Sequence, residues 1–281
     1  MKKIALFLID PQNDFCVKED GENKGSLVIP GAHDDMKRCA SFIRNNLNYL
    51  NQIFITKDWH NEVSIDNVNW FVSKNEIKTP TPLKMYVYSN NFYVGRKDQG
   101  INTFTEEVHL RTVEYYKYAI NKGVFPTVWP KHGIQGTWGA EVVKEINDII
   151  REKKLCPSMV KYFFKGTCPL TEQFSIFKSV MEVEGYPETK LNMPLIRELN
   201  NFDHILVAGE AFNFCVKDSI IDLVENSPYP FNMSEKIVII RNFTSEVPGF
   251  EKETEKFESF LNSMNIRQIN IENDELPDEY K

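Results

Sequence analysis

Three residues of types suited to covalent chemistry lie at the ends of apolar runs: Asp10, Lys165 and Cys215. Cys215 sits in HILVAGEAFNFCVKDSIIDL, where an apolar run from His204 to Ala208 breaks at Gly209 and a helical pattern starts near Asn213 to Val216. A cysteine near the first turn of a helix is surrounded by unpaired backbone N–H groups, which favour the reactive thiolate. A lone cysteine there is more often a buried structural thiol. Here Asp10 ends the first apolar run, Lys165 follows another, and Asp58-Trp59-His60 ends a third. The chemistry that uses these types together is acyl transfer through sulfur. Cys215 would attack a carbonyl carbon, and Asp10 would take the thiol proton and return it to the leaving amine. Lys165 would hold Asp10 and favour the thiolate through its charge. Backbone N–H groups around Ala211 and Cys215 could bind the oxyanion. No GxSxG segment competes for the role of nucleophile.

A second group has metal-ligand chemistry. Asp58 and His60 are two residues apart, so a strand continuing through them would point both to one face. His132, in the Pro- and Gly-bracketed loop VWPKHGIQGTWGAE, is the candidate third ligand. Two imidazoles and a carboxylate suit one divalent ion, Zn first, with Fe or Mn as alternatives. His33 starts a helix, His109 lies in a polar helical stretch and His204 opens a buried strand, which makes them weaker candidates.

The elements that must position these residues alternate. Near-continuous apolar runs predict strands at Lys3 to Ile9, Gln52 to Thr56, Met159 to Phe164, Ile205 to Ala208, Lys236 to Ile240 and Gln268 to Ile271. Helical spacing appears at Asp34 to Leu50, Glu106 to Asn121, Ala140 to Ile150, Met193 to Asn200, Val216 to Val224 and Glu251 to Met264. Strands alternating with helices predict an α/β fold around a mainly parallel sheet of about six strands. In such a sheet, sites form beyond the carboxyl ends of the strands, where Asp10, Asp58, Lys165 and the Gly209 turn all fall. Residues 61–127 break the rhythm and are too long for an ordinary connection, which predicts an insertion within a single domain spanning 1–281. The acidic tail at 272–281 is expected to fray.

Composition narrows the function classes. The 281 residues carry a net charge of −7, which argues against nucleic acid or an anionic membrane as the main partner. No apolar run approaches the roughly 20 residues that span a bilayer. The apolar N-terminal stretch runs into Asp10 without a small-residue cleavage site, so it reads as a strand and the protein as cytoplasmic. The cysteines at 16, 39, 156, 168 and 215 are widely spaced, as expected of reduced thiols.

With these residues in place, the chain resembles the nicotinamidase branch of the isochorismatase-like cysteine hydrolases. LIDPQNDFC followed by GSLVIPGA is similar to that family's first strand, and KDWH and WPKHGIQGTWGAE resemble its metal motifs. FKGTCPLTEQFSIF resembles its lysine segment and GEAFNFCVKDS its nucleophile segment. The resemblance implies a three-layer α/β/α fold, a triad of Asp10, Lys165 and Cys215, and a metal on Asp58, His60 and His132. It also implies a cis peptide between Glu210 and Ala211, oxyanion-binding N–H groups at Ala211 and Cys215, and a substrate ring held between Phe15 and Trp129. The implied reaction converts nicotinamide to nicotinate and ammonia, with the ring nitrogen facing the metal. Family members often assemble as dimers or larger, which leaves room for a homo-oligomer.

The chain also departs from the family pattern. No further His follows KDWH within NEVSID, Gly133 replaces a common Cys, Asn213 a common Asp, and Glu210 a usual apolar residue. The 61–127 segment is longer than the family connection and is expected to cover or narrow the site. The alternatives are an amidase of the same superfamily acting on another small amide, and a non-catalytic binding protein on the same fold.

Overall fold

The computed structural model describes residues 2–72, 79–82, 84–88, 91–95, 102–103, 106–124, 126–153, 155 and 158–281. Six strands form the central sheet: β1 (Ile4–Ile9), β2 (Leu50–Asp58), β3 (Val160–Lys165), β4 (His204–Gly209), β5 (Ile237–Ile240) and β6 (Arg267–Ile269). Every pairing is parallel and the order is β3-β2-β1-β4-β5-β6. All six residues of β1 are buried, so both faces of the sheet are covered. That is why the strands read as unbroken apolar runs.

The covering helices are α1 (Ala32–Asn46), α2 (Glu106–Asn121), α3 (Lys144–Glu152), α4 (Met193–Leu199), α5 (Lys217–Glu225) and α6 (Glu251–Ser263). In α1 the buried Ala32, Met36, Cys39, Ala40 and Ile43 recur at helical spacing, and this face packs against α3. Phe257 of α6 packs its ring, tilted, against Phe212, just beyond β4. The result is the three-layer α/β/α architecture. Strand order reverses between β1 and β4, and the crevice at such a switch point is where open parallel sheets bind ligands.

Residues 61–127 carry a smaller core of their own. Ile65, Trp70, Phe71, Val113, Tyr116 and Ala119 are buried together, and the Trp70 indole N–H donates to Thr112 Oγ1 at 2.7 Å. Helix α2 has the expected bounds, and short antiparallel pairs join 84–88 to 91–95 and 71–72 to 102–103.

Two expectations are corrected. The helix predicted to reach Leu50 ends at Asn46, and Leu50 already belongs to β2. The tail expected to fray is packed, with Leu276 and Tyr280 buried. The cause is Asn46, whose Oδ1 accepts from Leu276 N at 2.9 Å while its Nδ2 donates to Asp274 O at 2.7 Å. Cys16, Cys39, Cys168 and Cys215 are free thiols, and Cys156 lies outside the described residues. No described helix is long and apolar enough to cross a membrane.

Candidate active site

Parallel register brings the strand-end residues together. Lys165 pairs with Asp58 across β3 and β2, and Ile9 pairs with Gly209 across β1 and β4. Asp10, one residue beyond β1, therefore lies beside the turn that carries Cys215. Asp10 has a left-handed φ of 45°, unusual for a residue with a Cβ, and two bonds to Thr56 hold it. Its N–H donates to Thr56 Oγ1 at 3.0 Å, and that hydroxyl donates to Asp10 Oδ1 at 2.6 Å.

Lys165 is the hub. Its Nζ lies 3.0 Å from Asp10 Oδ2, 2.9 Å from Asp58 Oδ1 and 3.4 Å from Cys215 Sγ. Its side chain is fully buried. Burial alone would discharge the ammonium, but the Asp10 and Asp58 carboxylates outweigh it and hold the Lys165 pKa well above its usual value. Burial raises Asp10 above the usual carboxylate range despite Lys165. Burial also pushes the Cys215 thiol well up, and the negative charges of Asp10 and Asp58 add to the effect of burial while Lys165 opposes it. The expectation that the helix start would favour the thiolate is therefore reversed. The resting group is a thiol, hydrogen-bonded to Asp10, and it needs a proton acceptor to become a nucleophile.

Cys215 lies in a single wide turn, Phe212–Val216, ahead of α5. Val216 N donates to Ala211 O at 3.1 Å, an i to i−5 bond of the kind that recurs at functional sites. The Glu210-Ala211 peptide is cis. Ala211 and Cys215 face one cavity, walled by Phe15, Trp129, Phe174 and Phe214. Asp58 and His132 reach the same cavity, whereas Asp10, Lys165 and His60 stand behind it.

Asp58, His60 and His132 offer ligand atoms that all lie within 4.8 Å of one another. His60 Nε2 is 3.0 Å from Asp58 Oδ1, and His132 Nε2 is 3.5 Å from Asp58 Oδ2. The strand ends at Asp58, so His60 is placed by a bridge to Ile134 and not by continued alternation. His60 Nε2 is buried and makes no hydrogen bond of ordinary geometry, as expected of a nitrogen suited to a cation. His132 Nδ1 lies 2.7 Å from Pro130 O and His60 Nδ1 lies 3.3 Å from Asp66 Oδ2, contacts that orient the other ring nitrogens. Without a cation, burial opposes the charge on His60, but Asp58 and Asp66 raise its pKa to about 10. The donor set fits a divalent metal ion.

Several supporting residues carry little signal in the sequence. Gln12 brackets the Asp58 peptide, donating to Asp58 O at 2.7 Å and accepting from Asp58 N at 2.6 Å. Asp14 accepts from Gly133 N at 2.8 Å. Both lie in the DPQND string, which is the one signal that could have found them. Glu172 and Gln173 lie in the FKGTCPLTEQFSIF segment, and Asp66 had no signal. Burial and the adjacent Asp66 push Glu172 well above the usual carboxylate range at the cavity wall. The departure at Gly133 has a steric basis: φ is +59°, and a Cβ would lie 2.9 Å from Asp58 O. Gly166 is constrained likewise, since a Cβ there would meet His60 Cε1 at 2.7 Å. Asn213 is fully buried and exchanges two bonds with Val247, at 3.0 and 3.1 Å, which fixes the loop behind the cavity. Among the described residues, none of 61–127 lines the cavity. That segment instead braces Trp129, whose N–H donates to Asp66 O at 2.7 Å and whose carbonyl accepts from Val68 N at 3.1 Å.

No family model matches the chain. It is 22% identical over 265 residues to the nicotinamidase of Saccharomyces cerevisiae, covering 94% of this chain and 98% of the relative. It is 22% identical over 221 residues to the nicotinamidase of Escherichia coli, covering 79% and 76%. The yeast nicotinamidase Pnc1p bound to the inhibitor nicotinaldehyde superposes with a TM-score of 0.61 at 19% identity, over 95% of this chain and 100% of that one. The pyrazinamidase of Pyrococcus horikoshii in complex with zinc gives 0.54 at 18% identity, over 96% and 99%. The chain is thus similar in sequence to two nicotinamidases, to the yeast protein along nearly its whole length, and it shares the fold of solved nicotinamidase and pyrazinamidase structures.

Proposed function

We propose that the protein is a metal-dependent cysteine amidohydrolase that converts nicotinamide to nicotinate and ammonia. The observation that carries the reading is the buried contact of Lys165 with Asp10 and Cys215 at the floor of an aromatic cavity. Asp10 takes the Cys215 thiol proton, and the sulfur attacks the carboxamide carbon. The oxygen that gains charge faces the backbone N–H groups of Ala211 and Cys215. The C–N bond then breaks as Asp10 returns the proton to the departing nitrogen, which leaves as ammonia. Asp10 next takes a proton from water, whose oxygen attacks the thioester, and the C–S bond breaks as Asp10 returns that proton to sulfur, which restores the thiol and releases nicotinic acid, ionised to nicotinate in solution. Lys165 keeps its charge throughout and orients Asp10. A side chain that gives and takes a proton works best with a pKa near the operating pH, and burial moves Asp10 in that direction.

Phe15 and Trp129 hold the substrate ring between them. Asp58, His60 and His132 would hold the metal, with zinc the first choice for this donor set. When bound, the ion would supply a Lewis-acid position for the ring nitrogen of the substrate. Chelation is expected to lower nicotinamide hydrolysis by about 100-fold or more, since loss of ring orientation removes much of the proximity effect. The check is a metal-stripped sample verified by elemental analysis, then restored with zinc. Full activity in the stripped sample would remove the ring-anchoring role.

Rapid acid quench during a single turnover tests the mechanism. Wild type is expected to carry a nicotinoyl group on Cys215. Asp10→Asn is expected to form it about 10²- to 10⁴-fold more slowly, the usual worth of a general base. Ordinary thioester formation by Asp10→Asn would refute the assignment of Asp10.

A further inference from the structure

Glu210 begins the turn that carries Ala211 and Cys215, and its side chain faces neither the cavity nor solvent. It is fully buried behind the turn. Its Oε2 accepts from Ser245 N at 3.0 Å, and its carboxyl is within hydrogen-bonding reach of the Asp35 carboxyl in the first turn of α1. Ser245 binds all three partners. Its Oγ donates to Asp35 Oδ2 at 2.5 Å, its N–H donates to Glu210, and its carbonyl accepts from Phe212 N at 2.8 Å. Asp35 Oδ1 also accepts from Arg38 at 2.5 Å. Glu210 Oε1 is buried and has no donor, which leaves it the oxygen suited to carry a proton towards Asp35.

Glu210 is a buried carboxyl at a site where an apolar side chain would avoid the cost of desolvation. A buried polar network of this kind fixes geometry only if each member is satisfied. A neutral Glu210 satisfies it, donating to Asp35 and accepting from Ser245. We propose that Glu210 is a positioning residue that clamps the Ala211 to Cys215 turn to α1 and to the Ser245 loop, so aiming the groups that face the cavity. The proposal rests on the reading of Cys215 as the nucleophile. The charged and titratable groups around Glu210 are Asp35 with Arg38 beside it, Arg241 across Phe212, and the thiols of Cys16 and Cys39. Burial and Asp35 both favour the neutral acid, against a weaker pull from Arg241.

Glutamine reproduces the neutral form, with an N–H for Asp35 and an oxygen for Ser245. Leucine fills the volume but leaves Ser245 N unpaired. In full-length, metal-replete protein, Glu210→Leu is expected to lower kcat for nicotinamide about 10- to 100-fold with little change in KM, the effect of a small misalignment. Glu210→Gln is expected to stay close to wild type at neutral pH. The ratio of wild-type to Glu210→Gln rate is expected to fall as pH rises and Glu210 ionises. A purely space-filling role predicts a flat ratio.

The sign for stability is the same. Folded Glu210 keeps its proton above the ordinary value of 4.5, where the unfolded chain has lost it. Wild-type stability should therefore fall relative to Glu210→Gln as pH rises above 4.5. The rate of Cys215 alkylation by iodoacetamide, read by peptide mass, follows the turn without any amide substrate. It should change in Glu210→Leu and not in Glu210→Gln, even if nicotinamide proves to be the wrong substrate. Wild-type behaviour of Glu210→Leu, equal damage in both variants, or a flat pH ratio would each overturn the proposal. If Glu210→Leu does not fold, the pH ratio of Glu210→Gln decides.

Discussion

Replacing Cys215 with alanine is expected to lower ammonia release from nicotinamide by about 10⁴-fold or more, leaving only what binding and the oxyanion-facing groups supply. The loss should fall on kcat. The aromatic walls, the Asp58 and His132 positions and the backbone at Ala211 all remain, so nicotinamide should bind about as well as to wild type. The fold should also persist. Lys165 loses one contact, to Cys215 Sγ at 3.4 Å, and keeps Asp10, Asp58 and the Gln173 carbonyl at 3.3 Å. The variant is therefore the right one for measuring substrate affinity by calorimetry without turnover. Substantial activity in Cys215→Ala would mean that water, not sulfur, attacks the amide.

Lys165→Met is expected to fail in two ways. Methionine has a similar length and no charge, so Asp10 and Asp58 would face each other, buried, without the cation that now lies 3.0 and 2.9 Å from them. Removing one partner from a buried ion pair typically costs about 3–5 kcal/mol, because the remaining charge is left unpaired. Denaturant unfolding at neutral pH should show a loss of that order. Activity should fall by about 10³-fold or more, since Asp10 would lose the group that orients it and would hold its proton too firmly to act as a base. Lys165→Arg is a useful companion. It keeps the charge but brings a planar guanidinium into a space shaped for an ammonium, so it should recover stability better than activity. Wild-type stability in Lys165→Met would show that the two carboxylates do not depend on Lys165.

The sheet was legible because both its faces are covered. Each strand is an apolar run long enough to stand out, and the residues just beyond those runs are the ones that parallel register gathers at one edge. Asp10, Asp58, Lys165 and the Gly209 turn needed no more than that. Helix α2 was legible for a related reason, with a continuous 3.6-residue pattern.

What the sequence concealed depends on tertiary contact. Thr56 reads as an ordinary β-branched strand residue, and only its approach to Asp10 makes it a support. Asp66 and Glu172 look like loop acids until burial sets them beside His60. The direction of the Cys215 shift was misread because the local helix start was weighed without the burial and the two carboxylates. The tail was misread because its acidic and polar residues hide two anchors, Leu276 and Tyr280, that the core covers. Residues 61–127 were expected over the site, but the described part braces Trp129 from behind through backbone bonds that leave no mark in side-chain pattern.

The proposed reaction is hydrolysis of an aromatic carboxamide at this site. The most direct test is to incubate purified, zinc-replete wild-type protein with nicotinamide and to measure ammonia and nicotinate in the same sample. Both products are expected in equal amounts, increasing with enzyme concentration. Folded protein with an alkylatable Cys215 and a filled metal site that releases neither product would contradict it.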